Sequence, residues 1–305
     1  MMTFSVSAAG GEVLPGIGLY VGQDRSQNRA KRIMPIFMPF AGCPGKCVFC
    51  AQDRQTGQAG DFAWLGANSP KHVPEYLITA ALCQAAKNIS EQAGRGSLEL
   101  AFFGGTFSGL SPQMRRLCLD FLQTEITAGR VACGRCSTRP DFLTQAILAE
   151  FCAAGLTLVE LGVQSFNDAA LALSGRGYTG QTALDGCRSV LASGLELGIQ
   201  LLPGMPGCTP EVFLADVQQA LDLRPSCLRY YPCLVPEGSA LAAMWRRGEY
   251  APWNLEETVT TLGRALRLAW QAQIPVLRLS VAPDVDFDAT ILAGSIIDSL
   301  ILPSS

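Results

Sequence analysis

Three cysteines follow an apolar run at residues 33–40, with the spacing C-x3-C-x2-C: Cys43, Cys47 and Cys50. Thiolates bind iron–sulfur clusters, and a cluster held entirely by cysteine takes four of them. Three thiolates from one tight loop could reach three corners of a cluster and leave one iron open to another ligand. Pro44 and Gly45 favour the turn that such a loop needs. The spacing therefore indicates an iron–sulfur site.

Two simpler interpretations compete with the cluster: a zinc-binding loop, and three unrelated thiols in the core. Zinc knuckles pair two C-x2-C units, or cysteine with histidine, and the chain has one histidine. A separate C-x2-C, formed by Cys133 and Cys136, falls in a segment with a strand pattern. Residues three apart in a strand point to opposite faces, so we expect these two cysteines to be structural.

The elements that must position the cysteine loop alternate between strand and helix. Strand patterns lie at 33–40, 98–103, 131–138, 157–163, 197–202, 227–231 and 276–281. Helical patterns lie at 73–93, 113–127, 141–154, 182–193, 210–222, 239–247 and 255–272. This alternation is typical of a parallel sheet with right-handed crossovers. Six clear strand–helix units predict an α/β fold, a partial (β/α)6 TIM-like barrel.

Residues suited to ligand binding follow several of these predicted strands. The cysteine loop follows the first strand, and Gly104 and Gly105 follow the second, where glycine lets a ligand approach the backbone. Ser137 and Gln164 end two later strands. Active sites of such barrels lie at the C-terminal ends of the strands. We therefore expect all of these residues to meet in one site.

Seven stretches carry a resemblance to a known family: PFAGCPGKCVFCAQ, FFGGTF, STRPD, VELGVQSF, SGRGYT, LLPGMPG and LRYYPCLV. They resemble the radical S-adenosylmethionine (radical SAM) superfamily, and within it the branch of the Elongator catalytic subunit, here without the acetyltransferase domain. A more distant likeness is to oxygen-independent coproporphyrinogen oxidase. The resemblance implies a [4Fe-4S] cluster and S-adenosylmethionine (SAM) as cofactors. In this superfamily an electron from the cluster cleaves SAM to methionine and a 5′-deoxyadenosyl radical, which abstracts hydrogen from the substrate.

The resemblance also implies which residues bind the cofactors, although it identifies no catalytic side chain. The cluster ligands correspond to Cys43, Cys47 and Cys50. Among the positions that match SAM contacts, Phe49 corresponds to the residue near the adenine, and Gly104, Gly105 and Thr106 correspond to those at the methionine end. Ser137 matches a contact to the ribose, Gln164 a contact to the ribose or the amino acid part, and Arg176 a contact to the carboxylate. Gln200 stands where the porphyrinogen oxidases have Asp. The chain departs from the family pattern at Phe40, Ala51 and Tyr178, which replace His, Asn and His.

The domain organisation follows from the same patterns. We expect a lead-in at residues 1–32, the radical SAM barrel at 33–281, and a tail at 282–305 that is truncated or altered. Twelve cysteines without a secretory signal predict a reducing, cytoplasmic location. The sequence shows no apolar run of about 18 residues, so no membrane association is expected. The resemblance implies a reductant protein such as flavodoxin or ferredoxin as partner.

The substrate is the least determined feature. The resemblance suggests a tRNA base, and the basic residues that could contact phosphates are Arg25, Arg29, Lys31, Arg32, Arg246 and Arg247. The net charge of −3 provides no general attraction for nucleic acid. On sequence alone an unidentified small molecule or peptide is therefore favoured over tRNA. The alternative from another functional class is a non-catalytic haem or cofactor carrier on the same scaffold.

Overall fold

The computed structural model describes residues 32–38, 40–45, 47–51, 75–91, 97–279 and 288–295. Most of the predicted lead-in, including Arg25, Arg29 and Lys31, lies outside these ranges, as do most of the predicted tail and the last residues of the strand predicted at 276–281.

A seven-stranded, fully parallel sheet forms the centre of the molecule, in the order β1-β2-β3-β4-β5-β6-β8. Its strands are β1 (Arg32–Phe37), β2 (Leu98–Phe103), β3 (Cys133–Thr138), β4 (Leu156–Gln164), β5 (Glu196–Leu201), β6 (Cys227–Tyr230) and β8 (Val276–Arg278). The sheet curls into a half-barrel, which confirms the predicted α/β partial barrel. The strands keep their order along the chain because each crossover returns to the neighbouring position.

Eight α-helices of the described residues connect or flank the strands. They are α1 (Glu75–Glu91), α2 (Pro112–Thr127), α3 (Gln145–Ala154), α4 (Asp168–Leu173), α5 (Gly180–Ala192), α6 (Pro210–Asp222), α7 (Ala240–Arg246) and α8 (Leu255–Gln271). None of these helices is both long and apolar enough to cross a membrane.

Side-chain caps fix where the helices begin. From α2 to α8, a Ser, Thr or Asn before each helix accepts a hydrogen bond from the backbone N–H three residues later. These caps satisfy N–H groups that have no partner within the helix. The prediction that α3 begins at Asp141 was wrong. Pro140–Phe142 form a 3-10 turn, and Thr144 caps the helix at Gln145.

Pro35 lies inside β1 without weakening the sheet. The N–H groups of Arg32 and Met38 bond the carbonyls of Ser97 and Phe103, so even-numbered residues of β1 point their amides toward β2. Pro35 is odd-numbered, and its missing N–H falls on the free edge of β1, the end strand of the described sheet. An edge strand tolerates proline in this way.

The two faces of the half-barrel differ in what they contact. Outward-facing residues such as Met34 and Ile36 pack into the core beneath the helices. Phe107 joins β2 to α3, because its ring lies 4.8 Å from the ring of Phe102 and 5.5 Å from that of Phe151. The inward-facing residues that alternate with them line a cavity.

A second, two-stranded antiparallel sheet was not predicted. It pairs β7 (Val235–Pro236) with β9 (Ile291–Ala293). Strands of two and three residues are too short to show an alternating pattern, so the sequence offers no signal for them.

Candidate active site

The inner face of the half-barrel encloses a cavity of about 550 Å³, within the range of small-molecule and cofactor sites. All the residues assigned to cofactors from the sequence line it: Cys43, Cys47, Cys50, Phe49, Gly104, Gly105, Thr106, Ser137, Gln164, Arg176 and Gln200. They come from the ends of five strands and the segments that follow. The predicted convergence at the C-terminal ends of the strands is therefore what the structure shows.

Backbone hydrogen bonds hold the cysteine loop over this cavity. The N–H of Thr106 bonds the carbonyl of Ala41 at 2.7 Å, which ties the start of the loop to the turn after β2. The N–H of Val48 bonds the carbonyl of Ser174 at 3.2 Å, and the carbonyl of Val48 accepts from Leu241 at 2.8 Å. The loop is thus attached to three separate parts of the barrel.

Two glycines allow the cysteine loop and the turn after β2 to touch. Gly42 has φ +74°, and a Cβ there would lie 2.2 Å from the carbonyl oxygen of Thr106. Gly105 has φ +63°, and its Cβ would lie 2.1 Å from the carbonyl oxygen of Ala41. Both the positive φ and the contact exclude a side chain. From the sequence, Gly105 was predicted to let a ligand approach the backbone. The structure shows that a glycine is also needed there for the cysteine loop to approach.

Polar groups surround the thiols. Cys43 Sγ lies 3.3 Å from the hydroxyl of Thr106, and Cys47 Sγ accepts a hydrogen bond from Arg176 Nη1 at 3.2 Å. Burial raises the pKa of the Cys43 thiol, while the Thr106 hydroxyl and the charges of Arg139 and Arg176 act against that rise. Cations and donors beside a thiol favour the thiolate, which is the form that binds metal.

The three thiols suit a cluster in their chemistry. Within the described ranges, no group of three or more Cys, His, Asp or Glu side chains is arranged to hold a single metal ion. An iron–sulfur cluster does not require three ligands around one metal ion, because each thiolate binds a different iron. The sulfur donor set, the cationic neighbours and the adjoining cavity fit a [4Fe-4S] cluster, which Cys43, Cys47 and Cys50 would hold.

Arg176 forms the wall next to the thiols. Besides Cys47, its guanidinium donates to the Tyr178 hydroxyl and to the carbonyl oxygen of Gly162. The ring of Tyr178 lies 5.0 Å from the guanidinium of Arg176 and 5.1 Å from that of Arg139. Tyr178, which stands where the family has His, therefore orients Arg176.

Gln164 ends β4 in an unusual conformation. Its φ is +68°, and the pairing of β4 with β5 shifts between Gly162 and Gln164. A positive φ at a residue other than glycine costs energy and is common at functional sites. The turn that follows is fixed by Asp216, which accepts hydrogen bonds from the Ser165 hydroxyl and the N–H of Phe166. The side chain of Gln164 is thereby presented to the cavity.

A network of charged side chains at the floor of the cavity was not predicted from the sequence. Glu160 in β4 accepts two hydrogen bonds from Arg229 in β6, at 2.6 and 3.0 Å, and one from Arg135 in β3 at 3.4 Å. Arg135 also donates two to Glu99 in β2, at 2.9 and 2.6 Å. Burial opposes ionisation of Glu160, but the charges of Arg229 and Arg135 keep the pKa of its carboxyl below the usual value.

This network, which we call the floor network, also holds two predicted SAM contacts. Gln200 Nε2 donates to Glu160 at 3.0 Å and to the Ser137 hydroxyl at 3.2 Å. The signal in the sequence was a charged residue inside otherwise apolar strands, as in LELAFF and VELGVQ. Charges are rarely buried in a sheet unless they are paired, so such residues predict partners on neighbouring strands.

Comparisons with known proteins agree with this geometry. The family model of the radical SAM superfamily matches residues 37–220, more than half of the chain. The model of the radical SAM C-terminal domain matches residues 225–296.

Among curated proteins, a tRNA uridine(34) acetyltransferase of Methanocaldococcus infernus is 29% identical over 254 residues, which are 74% of this chain and 47% of the relative. Elongator complex protein 3 of Mus musculus is 28% identical over 137 residues, 43% of this chain and 24% of the relative. The chain thus spans about half the length of the first of these, and a quarter of the second.

Solved structures share the fold. The structure of Elp3 from Methanocaldococcus infernus with an N-terminal deletion has a TM-score of 0.62 at 22% identity, covering 88% of this chain and 60% of that one. Coproporphyrinogen III oxidase from Escherichia coli has a TM-score of 0.55 at 16% identity, covering 85% and 56%. With the family match and the residues around the cavity, the chain belongs to the radical SAM superfamily, whose enzymes use a [4Fe-4S] cluster and SAM.

Proposed function

We propose that Cys43, Cys47 and Cys50 hold the cluster and that the adjoining cavity binds SAM. The observation that carries this proposal is the convergence of the cysteine loop, the turn after β2 and the ends of β3, β4 and β5 on one cavity. When bound, the cluster supplies the electron that cleaves SAM to methionine and a 5′-deoxyadenosyl radical. The protein's own contribution is to position SAM and to exclude water and oxygen.

Each group of residues has a separate task in this proposal. Gly104 and Gly105 offer backbone to the methionine amino group, and the Thr106 hydroxyl lies beside Cys43. Phe49 faces the adenine. The hydroxyl of Ser137 and the amide of Gln200 are already hydrogen-bonded to each other, so the floor network orients both toward the ribose.

Arg176 is the proposed partner of the SAM carboxylate. A guanidinium has five N–H donors, and those of Arg176 reach Tyr178, Gly162 and Cys47. The Nη1 group, which contacts the Cys47 thiol, has a second N–H that can point to the cavity. Charge-assisted pairing of guanidinium with carboxylate is strong and directional.

Arg176→Ala is expected to weaken SAM binding by about 1.5–3 kcal/mol, because a hydrogen bond to a charged group is lost. The corresponding rise in Kd is roughly ten- to 150-fold, measured by titration of the reconstituted protein. Iron content must be measured as well, since Arg176 contacts Cys47. Arg188→Ala, which removes an exposed arginine on α5, is the matched control and should bind normally. Unchanged affinity in the Arg176 variant would reject the carboxylate role.

We further propose that the substrate is a nucleoside of tRNA. The relatives named tRNA uridine(34) acetyltransferase support this, and they reverse the preference for a small molecule or peptide that the net charge suggested. Local charge supports it too. Arg246 lies in the last turn of α7, the helix whose Leu241 bonds the cysteine loop, whereas the neighbouring Arg247 pairs with Glu249.

Binding of tRNA at two salt concentrations, with release of 5′-deoxyadenosine followed in parallel, tests the substrate. We expect binding that weakens with salt and that accelerates 5′-deoxyadenosine release above the slow rate without substrate. No binding of tRNA at low salt would return the preference to a small molecule or peptide.

A haem titration of the same protein tests the alternative of a non-catalytic carrier. Stoichiometric haem binding without SAM cleavage would favour that alternative. A cytoplasmic location and a flavodoxin- or ferredoxin-like reductant are parts of the same proposal.

A further inference from the structure

Arg278 is an arginine of the cavity that the proposed cofactor contacts do not use. It is the last residue of β8, and its Cα pairs in register with that of Arg229 in β6. Residues paired in this way on neighbouring strands direct their side chains to the same face of the sheet, and both line the cavity. Two arginine side chains therefore leave neighbouring strands on the cavity face of the half-barrel.

The other arginines that line the cavity in the described ranges all have acceptors. Arg139 pairs with Asp141 through two contacts of 2.9 and 2.8 Å. Arg176 bonds Tyr178, Gly162 and Cys47, and Arg229 forms two hydrogen bonds with Glu160. Arg278 has no such acceptor within the part of the chain that the structure describes. Its positive charge is therefore left to the cavity.

The positive charge of Arg278 affects the ionisation of the neighbouring Tyr231. Burial raises the pKa of the Tyr231 hydroxyl, and both Arg229 and Arg278 act against that rise. Arg229 is paired with Glu160, so among the described residues the unbalanced charge at this place is that of Arg278. A partly buried cation beside another cation is unfavourable unless an anion joins it. Within the residues that the structure describes, this pair of arginines lacks one anionic group.

The opposite edge of the half-barrel, formed by β1, is apolar. Ile33, Pro35 and Phe37 of β1 face the cavity, and Ile33 and Phe37 are 43% and 44% exposed. The ring of Phe37 lies 6.3 Å from that of Phe103. Aromatic faces of this kind stack nucleobases. The cavity thus offers an apolar, aromatic wall on β1 and, on β8, a cation without an acceptor among the described residues. This combination suits a ligand with a flat ring and an anionic group.

We propose that Arg278 anchors a phosphate of the substrate nucleotide. This inference rests on the proposed tRNA substrate and names the group by which that substrate is held. A planar guanidinium binds phosphate through two parallel hydrogen bonds. Contacts to phosphate position a nucleic acid without reading its sequence, so Arg278 sets where the target nucleotide lies and not which base is chosen.

The first test uses inorganic phosphate as the probe, so it does not depend on tRNA. Thermal unfolding of the reconstituted protein is followed in phosphate and in chloride of equal ionic strength. Ligands that bind the folded state raise its melting temperature. We expect phosphate to raise it in the wild type and in Arg188→Gln, an exposed-arginine control, but not in Arg278→Gln. Since Arg278 has no acceptor in the described ranges, its variant should melt normally in chloride.

The second test measures tRNA affinity against salt concentration. Losing one phosphate contact should make the slope of the logarithm of the binding constant against the logarithm of the salt concentration less steep by roughly one unit. We expect this in Arg278→Gln, with Arg278→Lys keeping the slope because it keeps the charge, and with Arg188→Gln unchanged.

The outcomes separate the two proposals. Equal phosphate responses in wild type and Arg278→Gln, or an unchanged slope in Arg278→Gln, would overturn the anchor even if tRNA binds. Absence of tRNA binding together with a phosphate response that Arg278→Gln abolishes would overturn the tRNA substrate and leave Arg278 as the anchor of another phosphorylated ligand.

Discussion

Cys50→Ala protein reconstituted without oxygen is expected to contain almost no cluster iron. The variant leaves two thiols in the loop, and the proposed site needs three, each on a different iron. Iron and sulfide per chain, with the visible absorption of the cluster, measure the effect. Reductive cleavage of SAM should fall to background in the same variant, because the electron enters through the cluster.

Cys133→Ala and Cys136→Ala are the matched controls. Both cysteines lie in β3, away from the loop, and both are buried. Burial raises the pKa of the Cys136 thiol, which keeps it protonated and a poor ligand. These variants should keep their iron and lose only a little stability. Iron content in Cys50→Ala equal to that of the controls would reject the assignment of the loop.

Glu160→Ala is expected to destabilise the protein by about 3–5 kcal/mol, because removing one member of a buried ion pair leaves its partners charged and unpaired. The carboxylate is 1% exposed, and its partners Arg229 and Arg135 are only 10% and 12% exposed. For a chain of this size the melting temperature should drop by roughly 10 °C. SAM binding should weaken too, because Gln200 loses the acceptor that orients it.

Glu125→Ala is the control that isolates the effect of the partners. The side chain of Glu125 is also buried, at 7% exposure, but its partner Arg130 is 43% exposed and can return to water. Its removal should therefore cost much less stability than that of Glu160, as the loss of a surface pair does. Equal losses in the two variants would show that the floor network contributes no more than a surface pair.

Much of the fold and of the site could be predicted because local patterns determine them. The strands are short apolar runs ended by glycine or polar residues, and Ser111 before Pro112 marks the start of α2 in the sequence as it does in the structure. Once the strands are placed, the common face of their C-terminal ends follows from barrel geometry. That step alone brings Cys43, Gln164 and Gln200 together.

Features that depend on register or on contacts between distant backbones could not be predicted. Glu160 is one charge in an apolar strand, and only the pairing of β4 with its neighbours shows that Arg135 and Arg229 reach it. Gly42 and Gly105 are 63 residues apart, as are the thiol of Cys43 and the hydroxyl of Thr106. The start of α3 was misplaced because Asp141 is as good a cap as Thr144 by type, and its pairing with Arg139 decides between them.

Among the described residues, the half-barrel keeps two unpaired edges that a closed barrel would not have, and such edges invite pairing with strands of other molecules. In the described sheet, β8 limits this hazard by having three residues. Pro35 limits it on β1, because the amide it lacks is one that would point outward. We conclude that this proline acts against aggregation, and Pro35→Val, which restores that donor, should leave the fold intact but make the protein more prone to self-association at high concentration.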